Sequence, residues 1–128
     1  RVNSRTEIEL NFHSIPDYPG QTPYPWHVHE KPVNSAGDCM STGLHLDPTN
    51  MNPGGNSTTY KCNPKKPRET CELGDLSGKF GELKPKKTTY KFSDPDLPLT
   101  GKNGIIGRSI VIHLANSTRI TCANITAI

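Results

Sequence analysis

The clearest pattern in the chain is a strict alternation of polar and apolar positions over residues 5–14. The inward positions of this segment are Thr6, Ile8, Leu10 and Phe12. Because successive side chains of a strand point to opposite faces, the alternation predicts a half-buried β-strand. By the same argument residues 25–30 form a second strand, with His27 and His29 on one face and Trp26 and Val28 on the other.

The later segments predict further short strands and long loops. Residues 31–71 are rich in proline and glycine and predict a loop, a length that is typical of functional or cross-linked segments. Short strands are predicted over 73–81 and 88–92, a core strand rich in β-branched residues over 105–114, and a last strand over 119–125. No segment has a helical period, so we expect one all-β domain over residues 1–128, a Greek-key sandwich or barrel.

Composition narrows the possible classes of protein. Hydrophobic residues make up 31% of the 128 positions, and glycine and proline supply 11 and 12, which suits short strands joined by turns. The net charge of +3 is small and scattered, so we expect no nucleic-acid partner. No run approaches the roughly 20 apolar residues of a membrane span.

Cysteines and glycosylation motifs predict a secreted glycoprotein. The chain has four cysteines, which allow three pairings. It also has three N-x-S/T motifs, at Asn56, Asn116 and Asn124. Together these features favour an oxidising, extracellular compartment. The first residue is Arg1 rather than Met, so we expect a mature or trimmed form.

Four of the five histidines stand in positions that suit a metal site. His27 and His29 share a strand face, so both imidazoles can reach one ion. His45 lies in the segment Gly43–Pro48, and His113 ends the most apolar strand, where a solvated histidine is not expected. An H-x-H pair alone is equally typical of a solvated strand face, and His13 is predicted to lie on the surface.

Six blocks in this order resemble the copper/zinc superoxide dismutase family over about residues 6–128. The blocks are 27–30 (HVHE), 35–39 (SAGDC), 43–45 (GLH), 74–76 (GDL), 104–113 (GIIGRSIVIH) and 119–122 (RITC). The resemblance implies a Greek-key barrel and one copper held by His27, His29, His45 and His113. It implies that Arg119 guides the anionic substrate, superoxide. It also implies a disulfide between Cys39 and Cys122, which leaves Cys62 and Cys71 to pair with each other.

The chain departs from the family pattern at the second metal site. Asp75 is present, but Glu72 stands where the family has a histidine, and no histidine lies between His45 and His113. Only eight residues separate His113 from Cys122, where the family has a long charged loop. Both departures resemble the extracellular copper-only superoxide dismutases of fungi. We therefore expect no zinc, with Glu72 holding the outer nitrogen of His45 and Asp75 supporting Glu72.

The start of the chain departs from the family as well. The family barrel begins with a hairpin before the strand that matches Thr6 to Phe12, and this chain is too short to supply it. Unpaired sheet edges invite a partner. We therefore expect a monomer or weak oligomer, with a partner chain as one way to cover the open edge.

The expected function is the conversion of superoxide to O2 and hydrogen peroxide by one copper cycling between Cu(II) and Cu(I). The catalytic residues are then Arg119, His45 and Glu72, and the location is secreted, including the cell surface. The alternative is a non-enzymatic extracellular copper-binding or buffering protein on the same fold. A structural or adhesion protein is a third reading, which the retained copper ligands argue against.

Overall fold

A computed structural model describes residues 5–12, 17–55, 57–85 and 88–127 of the chain. Five strands form two antiparallel sheets. The strands are β1 (Thr6–Asn11), β2 (Trp26–His29), β3 (Thr89–Asp94), β4 (Ser109–His113) and β5 (Arg119–Asn124). One sheet pairs β1 with β3, and the other has the order β2-β4-β5. Over the described residues the two sheets do not close into a barrel, so the sandwich describes the fold better.

The alternation of polar and apolar positions correctly predicts the two strands at the start of the chain. Along β1 the side chains of Thr6 and Ile8 are buried and those of Glu7 and Glu9 are exposed. In β2, Trp26 and Val28 are fully buried, which leaves the opposite face to the two histidines. His13, which was predicted to lie on the surface, is outside the described residues.

The core lies between the two sheets. The ring of Trp26 on β2 packs 4.9 Å from the ring of Phe92 on β3, measured between centroids. Further buried apolar side chains come from both sheets and from the loops, and include Ile8, Val28, Leu46, Leu76, Leu83, Leu97, Ile105 and Ile112. Burial of this apolar area is the main force that holds the sheets together.

The prediction of a strand over residues 73–81 is wrong. This segment contains a short helix, α2 (Leu76–Phe80), and an earlier helical turn, α1 (Pro67–Thr70), also lies within a predicted loop. Asp75 begins α2, because its side chain accepts a hydrogen bond from the backbone N–H of Gly78. Helices of four and five residues are too short to display a helical period. Neither of them has the length of a membrane span, and no other helix in the described ranges does.

The long loop after β2 runs back along the free edge of that strand. The backbone N–H of Leu46 donates to the carbonyl of Val28, and the N–H of Val28 donates to the carbonyl of Gly74. An isolated antiparallel bridge joins His45 to His29. These bonds cover the outer edge of β2 and place a third histidine beside the two that β2 carries.

Candidate metal centre

Four histidines converge at one end of the three-stranded sheet. His27 and His29 come from β2, His45 comes from the bridge on its edge, and His113 ends β4. Their ring centroids lie between 3.7 Å apart for His27 and His45 and 6.4 Å apart for His27 and His29. One ring nitrogen from each of the four lies within 4.8 Å of the others. Four imidazole nitrogens at this spacing are suited to copper or zinc.

Three of the four histidines have Nδ1 engaged by the protein, which leaves Nε2 for the cluster. Nδ1 of His29 lies 3.0 Å from the carbonyl oxygen of Gly43, and Nδ1 of His113 lies 3.2 Å from that of Ser117. Nδ1 of His45 lies 2.8 Å from Oε1 of Glu72. Partners of this kind fix the ring orientation and the tautomer of metal-binding histidines. In all three rings Nε2 faces the cluster, and Nε2 of His29 lies 3.3 Å from Nε2 of His113.

His27 is oriented the other way round. Its Nε2 lies 3.3 Å from Oδ1 of Asp75. Its Nδ1 is buried and has no hydrogen-bond partner among the described residues. A buried polar atom without a partner destabilises a fold. A metal ion bound by the cluster would give this nitrogen the partner that it lacks, so the four residues fit a bound copper ion.

Burial keeps three of the four histidines, His27, His29 and His113, neutral at physiological pH. It lowers the pKa of His29 to about 3 and that of His113 to about 4. The pKa of His27 is also lowered by burial, against the opposing effect of its hydrogen bond to Asp75. Because a metal binds the neutral imidazole, these three rings do not need to lose protons before they bind copper.

The two acids lie behind the histidines, and each contacts a different imidazole ring. Glu72 is 1% exposed and contacts His45, and Asp75 is 4% exposed and contacts His27. Burial raises the pKa of Asp75, but hydrogen bonds from His27 and Tyr60 outweigh it and lower that pKa to about 2. Asp75 therefore supports His27 directly, and its link to Glu72 runs through Tyr60. The Tyr60 hydroxyl donates to Oδ2 of Asp75 at 2.5 Å and accepts the N–H of Glu72 at 3.0 Å.

Arg119 lies beside the cluster because its strand register places it there. It is opposite His113 in the pairing of β4 with β5, next to an irregularity in the register at Ile112 and His113. Its Nη1 donates to the carbonyl of Cys39 at 2.8 Å and to the Thr42 hydroxyl at 2.9 Å, and its Nη2 donates to the carbonyl of Gly43 at 2.8 Å. These bonds leave Nε and one N–H of Nη2 for another acceptor. Arg119 also lines an open cavity with Met40 and Ser117.

Two disulfides connect the loops around the site. Cys39 is bonded to Cys122, which ties the short helical turn at 39–42 to β5. Cys62 is bonded to Cys71, directly before Glu72. The Gly43 carbonyl is shared by Arg119 and His29, so the tied loop links the cation to one of the histidines.

Comparison with known proteins identifies the family. The model of the copper/zinc superoxide dismutase family matches residues 2–125. The chain belongs to this family. Cell surface superoxide dismutase 4 of Candida albicans, named as a copper–zinc enzyme, is 38% identical over 128 residues. A cell surface copper-only superoxide dismutase of Arthroderma benhamiae is 42% identical over 109 residues, which are 80% of this chain and 28% of that protein.

A solved structure of the family also matches. Superoxide dismutase 5 of Candida albicans, in its Cu(II) form, superposes with a TM-score of 0.75 at 32% identity, over 100% of this chain and 77% of the other. The match to superoxide dismutase 4 covers 98% of this chain and 50% of that protein. The chain therefore spans half or less of the length of the curated relatives named here.

Sequence reasoning missed three residues that support the site. Thr42 is fully buried against Arg119, Tyr60 connects the two acids, and Asn52 donates to Oε2 of Glu72 at 2.9 Å. All three lie in the segment predicted as a loop, where no periodic pattern marks a residue as buried. A threonine, a tyrosine and an asparagine are also ordinary loop residues, so their types gave no signal.

Proposed function

We propose that this protein is a copper-dependent superoxide dismutase of the copper-only type. The observation that supports this best is the donor set of the histidine cluster. Three rings have one nitrogen held by the protein, and the buried Nδ1 of His27 has no partner. The membership of the dismutase family and the names of the fungal relatives support the same reaction.

The proposed copper ligands are Nδ1 of His27 and Nε2 of His29, His45 and His113. When bound, copper supplies the one-electron chemistry that converts two superoxide ions and two protons to O2 and hydrogen peroxide. The ring of His45 is held through Nδ1 by Glu72, at 2.8 Å. His45 is therefore the residue that we expect to take up a proton at Nε2 during turnover.

Arg119 is the proposed binding residue for the superoxide anion. Its three bonds to the loop at residues 39–43 hold the guanidinium beside His113, and its remaining N–H groups face no acceptor in the described chain. A fixed cation next to a redox site attracts a small anion and orients it. The open cavity at Arg119 supports direct access from solvent.

We propose that the chain binds no zinc. Zinc sites are commonly built from four ligands in which nitrogen or sulfur is prominent. Here Nδ1 of His45 already has Oε1 of Glu72 as its partner, and Oε2 of Glu72 accepts a hydrogen bond from Asn52. The second acid, Asp75, is engaged by His27 and Tyr60.

The proposed location is extracellular, either attached to the cell surface or secreted into the medium. The relatives named above are cell-surface proteins, and the two disulfides suit an oxidising compartment. We also propose glycosylation at Asn116 and Asn124, both of which are exposed. The third motif begins at Asn56, which lies outside the described residues. We propose a monomer or weak oligomer as the state in solution.

Metal analysis and an activity assay on the same sample test the function. The protein is unfolded, freed of metal, refolded and offered copper, zinc or both. We expect about one copper and no zinc per chain, and dismutation far faster than in buffer with the same total copper. A protein that binds copper without this activity would support a copper buffer instead.

The variant R119A separates catalysis from copper binding. We expect the copper content to be unchanged and the activity to fall by about tenfold to a hundredfold, because a preorganised donor for an anion is lost. The activity of R119A should also become less sensitive to salt, since less of the attraction would be electrostatic. The matched control is K91A, which removes an exposed cation from β3 in the other sheet. Equal activity in the two variants would show that Arg119 does not act on the substrate.

A further inference from the structure

The carboxylate of Glu72 is held on both of its oxygens. Oε1 lies 2.8 Å from Nδ1 of His45, and Oε2 accepts a hydrogen bond from Nδ2 of Asn52 at 2.9 Å. Glu72 is 1% exposed and Asn52 is 8% exposed, so this pair lies away from bulk water. A buried hydrogen bond to a carboxylate is stronger than one between neutral groups.

The direction of the Asn52 carboxamide is fixed by its other neighbour. Its Oδ1 accepts the backbone N–H of Ser57 at 2.7 Å. A backbone N–H can only donate, so the oxygen of the carboxamide must face Ser57 and the nitrogen must face Glu72. Asn52 therefore presents a donor to Oε2, and Glu72, as a carboxylate, accepts at Oε1 as well. An acceptor at Oε1 requires the proton of His45 to be on Nδ1, which leaves Nε2 free.

Asn52 is itself anchored by the turn that follows His45. The two oxygens of Asp47 accept the backbone N–H groups of Met51 and Asn52, at 2.9 and 2.8 Å. Asp47 is two residues beyond His45 along the chain. The same turn thus carries both His45 and Asn52, and Asn52 is the residue that holds Glu72.

Glu72 has space to move if it is released. His45, Asn52 and Glu72 line a cavity of about 420 Å³ that opens between this turn and the loop around Lys102. A glutamate has three side-chain torsions, and an unheld one would populate rotamers that turn into this space. The His45 ring would then lose the partner that orients it.

We propose that Asn52 is a positioning residue for the copper site. It holds the Glu72 carboxylate in the orientation that accepts from His45, and thereby fixes the ring and the tautomer of His45. The inference rests on the proposed function only in taking His45 as a copper ligand.

The test compares two substitutions of asparagine by aspartate on the same cavity. N52D replaces the donor that faces Glu72 by an acceptor. The matched control is N103D, because Asn103 lines the cavity and no hydrogen bond of its side chain to Glu72 is found among the described residues. N52A is the second variant, since it removes the donor without adding a charge. Circular dichroism and thermal unfolding verify that each variant is folded.

The first readout is the tautomer of His45 in the copper-free protein, from nitrogen-15 NMR of the histidine rings. We expect the wild type and N103D to carry the proton on Nδ1 of His45. In N52D and N52A we expect a mixture of tautomers and faster exchange of that proton with water. Spectra of N52D and N52A that superpose on the wild type would overturn the proposal.

The second readout is the affinity for copper, from competition with a chelator of known affinity. We expect N52D and N52A to bind copper about tenfold more weakly than N103D, as is typical when a partner behind a metal ligand is lost. Wild-type affinity in both variants would also contradict the proposal. Both readouts are independent of turnover. A wild-type protein without dismutase activity would therefore reject the proposed function, whereas the tautomer and the copper affinity would still decide the role of Asn52.

Discussion

At the scale of single residues, the site depends on which ring nitrogen of each histidine the protein occupies. Gly43, Ser117 and Glu72 occupy Nδ1 of three rings, and Asp75 occupies Nε2 of His27. Swapping the tautomer of any one ring would point a proton into the cluster. The four proposed copper-binding nitrogens are therefore specified by four acceptors on the far side of the rings.

The same residues make the stability of the metal-free protein depend on pH. An unfolded histidine has a pKa of about 6.5, whereas burial lowers the pKa of His29 to about 3 and that of His113 to about 4. Between these values the unfolded chain binds more protons than the folded one, so the free energy of unfolding falls as the pH falls. The stabilisation is complete above about pH 7, and we expect it to be lost progressively from there towards pH 4, by up to about 1.4 kcal/mol per pH unit for each histidine.

Urea denaturation of the metal-free protein between pH 7 and pH 4.5 measures this loss. The carboxyl group of Asp75 contributes little above about pH 5, because its effect begins only near the pKa of an unfolded aspartate, about 3.9, and extends down to its folded pKa of about 2. The control is H29Q, which removes one of the buried rings and should flatten the slope by about one proton. A free energy of unfolding that is constant over this range would contradict the assignment of neutral, buried histidines.

At the scale of secondary structure, α2 connects the acids behind the site to the second sheet. Asp75 caps the helix, and Lys79 near its end donates to Oδ2 of Asp94 on β3 at 2.6 Å. Both side chains are almost completely buried, at 5% and 0% exposure. Lys79 also donates to the carbonyl of Leu73 at 2.8 Å. This ion pair holds the helix, and with it Asp75, against the neighbouring sheet.

Removing one partner of the pair should be costly. In K79M the carboxylate of Asp94 stays buried without its counter-ion, so we expect a loss of about 3 kcal/mol in the free energy of unfolding. The control is R68M, because Arg68 pairs with Asp96 at 2.5 Å but its side chain is 75% exposed. Exposed ion pairs contribute at most about 1 kcal/mol. Chemical denaturation of both variants measures the difference, and equal losses would show that α2 is held by its apolar contacts instead.

The sequence predicted the strands better than the helices, for a physical reason. A strand with one buried face, such as β1, must alternate between apolar and polar residues. A shift of one position would expose Ile8 and bury Glu7. The five-residue helix α2 has no room for a period, and its signal is only the capping residue Asp75. The apolar residues of this segment therefore predict a strand, because one capping residue does not mark a helix.

The same distinction holds for the site. His27 and His29 share a strand face by periodicity alone, and the matched sequence blocks added the other two histidines. The contact of Glu72 with His45 was also expected from the resemblance, and the structure places the two 2.8 Å apart. Asn52 and Tyr60 act through single hydrogen bonds from a loop, so no spacing rule marks them. Asp75 was assigned to Glu72, whereas its direct partner is His27, because sequence proximity does not give side-chain direction.

At the scale of the whole molecule, one disulfide connects distant parts of the chain. Cys39 and Cys122 are 83 positions apart, whereas Cys62 and Cys71 are 9 apart. In the chain-entropy model a cross-link stabilises more as its loop grows. On that model the long loop contributes about 4.5 kcal/mol and the short one about 2.5 kcal/mol. The long loop also includes all of β3 and β4.

The two disulfides should therefore differ in both stability and function when each is removed. In the double variant C39S/C122S we expect a loss of about 4.5 kcal/mol in the free energy of unfolding, against about 2.5 kcal/mol for C62S/C71S. Below its unfolding transition, C39S/C122S should also lose activity, because Arg119 is bonded to the carbonyl of Cys39 and its strand is no longer tied to that loop. Its copper content should be retained, since none of the four histidines lies on β5. Denaturation, metal analysis and the dismutase assay on the two double variants measure these outcomes. Full activity in folded C39S/C122S would show that β-sheet pairing alone holds Arg119 in place.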